Sequence, residues 1–214
     1  MTKRIAIKKA ACYAAFLALI GLSGIFLSAC SENKPSFVSI DVTGADYAKD
    51  FALAGPQGGP LTDHNGQPRA IKDFAGKVVV LFFGYTQCPD VCPTTMAELA
   101  EVKKLLGKDG DKLQAVFITV DPARDTPEVL KAYMTNFDPT FLALIPEAAQ
   151  LPELAKNYKV YYKKVDGKTP TSYTMDHSAG SFVYDTRGQL RLYTRYGSGA
   201  KALAADIAQL LKQA

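Results

Sequence analysis

The sequence predicts an α/β domain, and three observations carry that prediction. Two continuous apolar runs, KVVVLFF at 77–83 and AVFITV at 115–120, are rich in β-branched and aromatic residues and too short for helices, so they read as strands buried on both faces. Between them Leu99, Val102 and Leu106 recur at helical spacing up to Gly107, which makes strand, helix, strand and implies parallel pairing through a right-handed crossover. Toward the C-terminus, SFVYDTRGQLRLY at 181–193 reads as two strands across a turn at 186–189, followed by a helix with Leu203, Ile207, Leu210 and Leu211 facing inward.

Taken in order, the chain starts with an export signature. Lys3, Arg4, Lys8 and Lys9 precede Ala10 to Ala29, which carry no charge, and Leu27-Ser28-Ala29-Cys30 resembles the lipobox of bacterial lipoproteins. On that reading residues 1–29 are a cleaved signal peptide and Cys30 is lipidated as the new N-terminus. An uncleaved anchor is the alternative, since twenty such residues span roughly 30 Å as a helix. Either way the rest of the chain lies outside the cytoplasm, and the expected address is the bacterial envelope, facing the periplasm.

Cleavage alters the charge and cysteine arguments. All four positive residues of the leader leave and no acidic one does, so of 25 Lys+Arg the mature chain keeps 21, against 21 Asp+Glu. The formal +4 therefore implies no basic patch, and nucleic-acid binding is not expected. Cys12 lies in the discarded run, which leaves Cys88 and Cys92 as the thiols of the folded domain. Too few remain for a disulfide-stapled fold, so a hydrophobic core must supply the stability.

Residues 30–48 are polar and aperiodic and read as a tether, with the domain at 49–214. PQGGPLTDHNGQP at 56–68 is dense in turn formers, with Asn65-Gly66 the strongest hairpin signal, so residues 50–53 and 69–71 are expected as short strands. His64 beside that turn is expected to face solvent. After the cysteines Pro93 suits the first turn of a helix, and DPARDTP at 121–127 opens another, with Thr126 as N-cap and Pro127 at its first position. Val129, Leu130, Tyr133 and Phe137 mark its inner face. A short strand is expected near 141–145, a helix interrupted or begun by Pro152, a strand at VYYKKV (160–165), and a loop over DGKTPTSYTMDH (166–177). A cysteine pair where the first strand turns into its helix makes the thioredoxin-like fold the specific expectation.

FGYTQCPDVCPTT, residues 83–95, then poses the chemical question. With Cys88 in the turn and Cys92 on the helix's first turn, free N–H groups and the helix dipole favour thiolates, whether as nucleophiles or as metal ligands. A purely structural disulfide would close a very small loop and constrain little of the unfolded chain. The thioredoxin-type motif has two residues between its cysteines where this chain has Pro89, Asp90 and Val91. Val91-Cys92-Pro93-Thr94 looks like a peroxiredoxin site, yet Pro89 and Tyr85 stand where that family has its hydroxyl residue and proline. Two thiolates suit copper(I), and one imidazole would complete a three-coordinate site able to hold copper(II) as well. His177, in MDHSAGSF just before a strand, is the candidate, with Asp176 placed to orient its ring; zinc would want a fourth ligand.

FFGYTQCPDVCPTTMAEL, FITVDPARDTPEVLKAY, VYYKKV and YTMDHSAGSFVYD, in that order, resemble the SCO/SenC family of copper-binding assembly proteins, from about Phe51 to Leu211. The resemblance implies a membrane-anchored thioredoxin-like domain that binds copper(I) and copper(II) through Cys88, Cys92 and His177. It implies a role in assembling the copper A centre of cytochrome c oxidase, by delivering copper or by reducing the subunit's cysteines. The oxidase subunit is the expected partner, with other copper chaperones or thiol reductases beside it. In the reductase alternative Cys88 attacks and Cys92 resolves. Asp121, Arg124 and Asp125 match the family motif and are expected to shape the loop rather than catalyse. Met175 stands where a β-branched residue is expected and should pack in the core.

Overall fold

A computed structural model describes residues 36–52, 59–169 and 172–213; the signal-like run and Cys30 lie outside the described residues. In chain order the elements are β1 (Ile40–Asp41), β2 (Leu61–Asp63), β3 (Pro68–Arg69), β4 (Val78–Gly84), α1 (Val91–Leu105), β5 (Leu113–Thr119), α2 (Pro127–Thr135) and β6 (Leu142–Ile145). They continue with α3 (Leu151–Tyr158), β7 (Tyr162–Asp166), β8 (Tyr173–His177), β9 (Ser181–Tyr184), β10 (Leu190–Thr194) and α4 (Ala200–Leu211).

Eight strands form one sheet in the order β1-β10-β9-β4-β5-β6-β2-β3, and β7 pairs with β8 in a separate two-stranded ribbon. At the centre β4 and β5 run parallel from Val78↔Leu113 to Gly84↔Thr119, and every residue of both is buried. That is why both strands read as unbroken apolar runs: each has cover on its two faces. β9 returns antiparallel against β4, so the C-terminal hairpin completes a thioredoxin-like arrangement with the cysteines at the β4–α1 turn. α1 packs against α4, and α4 also touches β4. An aromatic cluster of Phe83, Tyr158 and Phe182 ties α3 to the sheet, with ring centroids 5.1 to 6.3 Å apart.

Helix entry follows the sequence at α2, where Thr126 accepts from the Val129 N–H and Pro127 occupies the first turn. Its inner face is carried by Leu130 and Met134, with Tyr133 and Phe137 partly buried against the core, while Val129 is exposed.

The structure differs from expectation in three further places. The compact unit begins at Ser36, not near residue 49. Asp206 of α4 is buried and accepts the N–H groups of Val38 and Ser39 at 2.9 and 2.8 Å, and β1 then pairs with β10, so the second half of the supposed tether belongs to the domain. Asn65-Gly66 does turn a hairpin, with Gly66 at φ 80°, but its strands are β2 and β3. Residues 51 and 52 form a bend instead of a strand, because the Asp50 carboxylate takes the N–H groups of Ala52 and Ile71 and Phe51 is buried against Phe74.

The third difference concerns 166–177. Residues 173–177 are strand β8, paired with β7 from Tyr162↔His177 to Asp166↔Tyr173, where the sequence reads as loop. Polar residues that never enter a core leave no periodic signal, and here Thr174 and Asp176 point to solvent while Met175 alone is buried, packed as its type predicts. The ribbon's base is closed by the Ser178 N–H on the Tyr161 carbonyl and the Tyr161 N–H on the Ser178 hydroxyl, both at 3.0 Å.

Candidate metal centre

Strand β4 ends at Gly84, the chain turns through Tyr85 to Asp90, and α1 starts at Val91, which puts Cys88 half-exposed in the turn and Cys92 buried in the helix's first turn. Both are free thiols. The Cys92 N–H points at the Cys88 sulfur at 3.5 Å, one of the unpaired donors of the helix N-terminus finding a soft acceptor. His177, at the end of β8, brings Nε2 to 3.3 Å from the Cys92 sulfur.

The two sulfurs and the imidazole nitrogen all lie within 4.8 Å of one another, the one such group of three among the described residues. Ligand atoms about 2.0–2.3 Å from a transition metal are separated by roughly 3.7 Å in a trigonal site, so closure on an ion needs movements of about 1 Å. The donor chemistry suits a soft ion, and no fourth protein ligand completes a zinc tetrahedron among the described residues.

Electrostatics separate the components. Burial pushes the Cys92 thiol far above its usual range, partly countered by the Tyr85 N–H that hydrogen-bonds to the sulfur. The helix dipole therefore does not win: without a cation nearby Cys92 is a thiol, contrary to the thiolate the helix position alone suggests. Burial also lowers the His177 pKa below 6.5, with the Ser178 carbonyl and the Asp176 charge acting in the opposite direction. A neutral ring is the metal-binding form.

The hydrogen bond that orients this ring comes from Ser178, whose carbonyl lies 3.0 Å from Nδ1. Asp176 is exposed and acts through its charge alone, which corrects the expectation that it holds the ring: on a strand, neighbours 176 and 177 point to opposite faces. The ring sits edge-on between Phe82 and Tyr85, with centroids 5.8 Å away in each case.

His64 is nowhere in this group, and it is buried, not the solvent-facing turn residue its surroundings suggest. Its N–H donates to the Ala143 carbonyl and its Nδ1 accepts the Ala143 N–H at 3.1 Å, so the side chain extends the β2–β6 ladder where the backbone leaves it.

DPARDTP links the two halves of the centre. Asp125 is buried and accepts from the Thr86 N–H, from the Thr86 hydroxyl at 2.6 Å and from the Thr119 hydroxyl at 2.6 Å, fastening the cysteine turn to the end of β5. Its own pKa is raised by burial, against those hydrogen bonds. Arg124 pairs with Asp121, donates to Gln87 in the cysteine turn at 2.9 Å and to the Tyr173 carbonyl on β8 at 3.0 Å, and stacks 3.5 Å over the Tyr173 ring. Tyr173 returns a hydroxyl donor to Asp121 at 2.9 Å. One guanidinium thus touches both the turn that carries Cys88 and the strand that carries His177.

Gly84 is a requirement that the sequence hides. A Cβ there would stand 2.8 Å from the Cys92 sulfur, from Phe117 and from Phe82, so glycine is what lets the sulfur lie against the strand end. A glycine ending an apolar run just before a cysteine turn is the available signal, but nothing local distinguishes it from an ordinary strand terminator.

Comparison with known proteins agrees with this geometry. Residues 56–212 match the SCO1/SenC family model. The chain is 33% identical over 174 residues to the SCO2-like protein RP587 of Rickettsia prowazekii, covering 80% of this chain and 82% of that one. Among solved structures it is similar to copper-bound ScoI of Bradyrhizobium japonicum, with 42% identity, TM-score 0.65, and coverage of 71% of this chain and 96% of the other. It is also similar to a SCO1/SenC family lipoprotein of Bacillus anthracis, with 25% identity, TM-score 0.61, and coverage of 71% and 91%.

Proposed function

The chain belongs to the SCO1/SenC family, and from that premise we propose that it is a copper chaperone of the bacterial envelope that serves assembly of cytochrome c oxidase. The observation that carries this reading is the convergence of Cys88, Cys92 and His177 within 4.8 Å on the same fold as a copper-bound relative. Copper is cargo here. The two thiolates hold copper(I), the imidazole adds the borderline donor that copper(II) needs, and a disulfide between the cysteines would abolish the site, so loading depends on reduction. The client is the subunit that carries the copper A centre.

His177→Ala tests the ligand set. Copper(I) and copper(II) affinities of the variant fall, while exchange of the dithiol with a small disulfide stays near the parent rate; unchanged copper affinity and spectrum would sink the three-ligand site. The contrast also separates a second reading, favoured by the unequal exposure of the two free thiols: a thiol-disulfide oxidoreductase in which half-exposed Cys88 attacks a client disulfide and buried Cys92 displaces the client as the pair oxidises. Under that reading the histidine variant keeps its full effect on the client.

Leu27-Ser28-Ala29-Cys30 supports lipid anchoring at Cys30. Mass spectrometry of the mature N-terminus is expected to show a diacylglyceryl group on that cysteine, and an intact Met1 terminus contradicts cleavage.

A further inference from the structure

Three buried side-chain polar atoms lack a hydrogen-bond partner among the described residues: the Thr95 hydroxyl, Arg124 Nη2 and the Tyr133 hydroxyl. An unmade buried hydrogen bond is costly, and such groups are rare enough in folded proteins that each calls for a reason. All three can donate. All three also belong to segments around the sulfur pair: Thr95 lies one turn past Cys92 on α1, Arg124 holds the cysteine turn through Gln87, and Tyr133 stands on α2.

What the three have in common is the lack of an acceptor, and the neighbouring centre is where one would form. With both thiols protonated it carries no charge. With two thiolates around copper(I) its net charge is −1, in a place where burial already disfavours a Cys92 anion. Buried anionic sulfur is stabilised by donors aimed at it, and hydrogen bonds to a charged group are roughly twice as strong as neutral ones.

Tyr133 is the best placed. Its ring packs on Phe117 and Phe137 at 5.9 and 5.2 Å between centroids. Phe117 in turn shares with the Cys92 sulfur the space beside Gly84, each 2.8 Å from the point a Cβ would take. Burial raises the phenol's pKa well above the ordinary value, and the charges it feels next are those of Cys92, Cys88 and Asp125. The hydroxyl therefore stays protonated and is available as a donor.

We propose that the Tyr133 hydroxyl is a donor held in reserve for the charged thiolate pair, idle in the metal-free protein and hydrogen-bonded to ligand sulfur once copper is bound. This rests on the copper-site reading above. It makes opposite predictions for two states of one variant, which a merely structural tyrosine does not.

Tyr133→Phe keeps the ring and removes the orphan group. The metal-free reduced protein is expected to melt at the same temperature or higher, whereas copper(I) affinity in competition titrations falls about tenfold. The sulfur-to-copper(II) charge-transfer band shifts to lower energy, because sulfur lone pairs lose a stabilising donor. Unchanged affinity and band position overturn the proposal, and so does an affinity loss matched by an equal loss of metal-free stability, which would make Tyr133 packing only. Serine variants of Cys88 and Cys92 run alongside: if they bind copper like the parent, or the parent binds none, it is the copper site that fails, and the proposal with it.

Discussion

The cysteine turn and the His177 ribbon are built by different means. Cys92 hangs from the best-buried part of the molecule: β4 and β5 are buried throughout, Gly84 admits the sulfur, and Asp125 fastens the turn with bonds as short as 2.6 Å. His177 arrives on a two-stranded ribbon outside the main sheet, whose strand β7 is almost wholly exposed and whose Tyr161 is 57% exposed. An isolated two-stranded ribbon is marginal in water, so it depends on attachments, and the chief ones are the Arg124–Tyr173–Asp121 cluster and the lodging of the histidine ring between Phe82 and Tyr85. Two ligands are thus set by the core and the third by a clamp. For the proposed copper chaperone this division would let one ligand withdraw without disturbing the fold.

The core half can be broken at Gly84. Gly84→Ala forces a methyl group against three packed neighbours and is expected to cost about 1–3 kcal/mol of stability. Chemical denaturation measures that loss, and copper affinity falls with it because Cys92 is displaced; a variant as stable as the parent would show that the strand end is not as tightly filled as its 2.8 Å contacts imply.

The ribbon half can be loosened separately. Arg124→Ala removes both the bridge to Tyr173 and the bond to Gln87. Copper(II) affinity, which leans on the imidazole, is expected to fall about tenfold, by the range that outer supports of metal ligands command. Copper(I), held by the sulfurs, falls less. Amide exchange should speed up in 173–177 and stay slow in β4 and β5, and equal acceleration in both would erase the distinction between the halves.

Acid sharpens the comparison through His177. Its folded pKa lies below the unfolded 6.5, so its stabilising contribution is complete above pH 6.5 and is lost as pH falls from there through the folded pKa, where the unfolded chain binds the proton more readily. Buried His64 behaves in the same sense and stays in both proteins, so the difference isolates the ribbon histidine. Melting curves of the metal-free reduced protein from pH 7 to 5 are expected to fall more steeply for the parent than for His177→Gln. Parallel curves would mean that the ring is not buried in solution.

Asp176→Asn carries the smallest effect. The exposed carboxylate supplies charge and no hydrogen bond to the ring, and copper affinity is expected to change less than about twofold, the scale of an exposed charge pair. A tenfold loss in titration would return Asp176 to the supporting role that Ser178 holds in the structure.

What the sequence by itself determined follows from local pattern. Unbroken apolar runs announce strands with two covered faces, Thr126-Pro127 announces a helix start, and the cysteine pair after the first buried run suggests the fold, while the ligand set is what the resemblance of the ordered motifs, VDPARDTP and DHS among them, implies. Those signals are legible because burial and capping act on residues close in the chain. The remainder depended on approach across space. Only the tertiary structure brings His177 to Cys92 across 85 positions, gives the ring to the Ser178 carbonyl instead of to Asp176, and buries His64 by spending its ring nitrogen on a distant strand. It likewise raises the Cys92 pKa against its helix dipole, because desolvation reflects every neighbour packed around the sulfur and no window of sequence contains them.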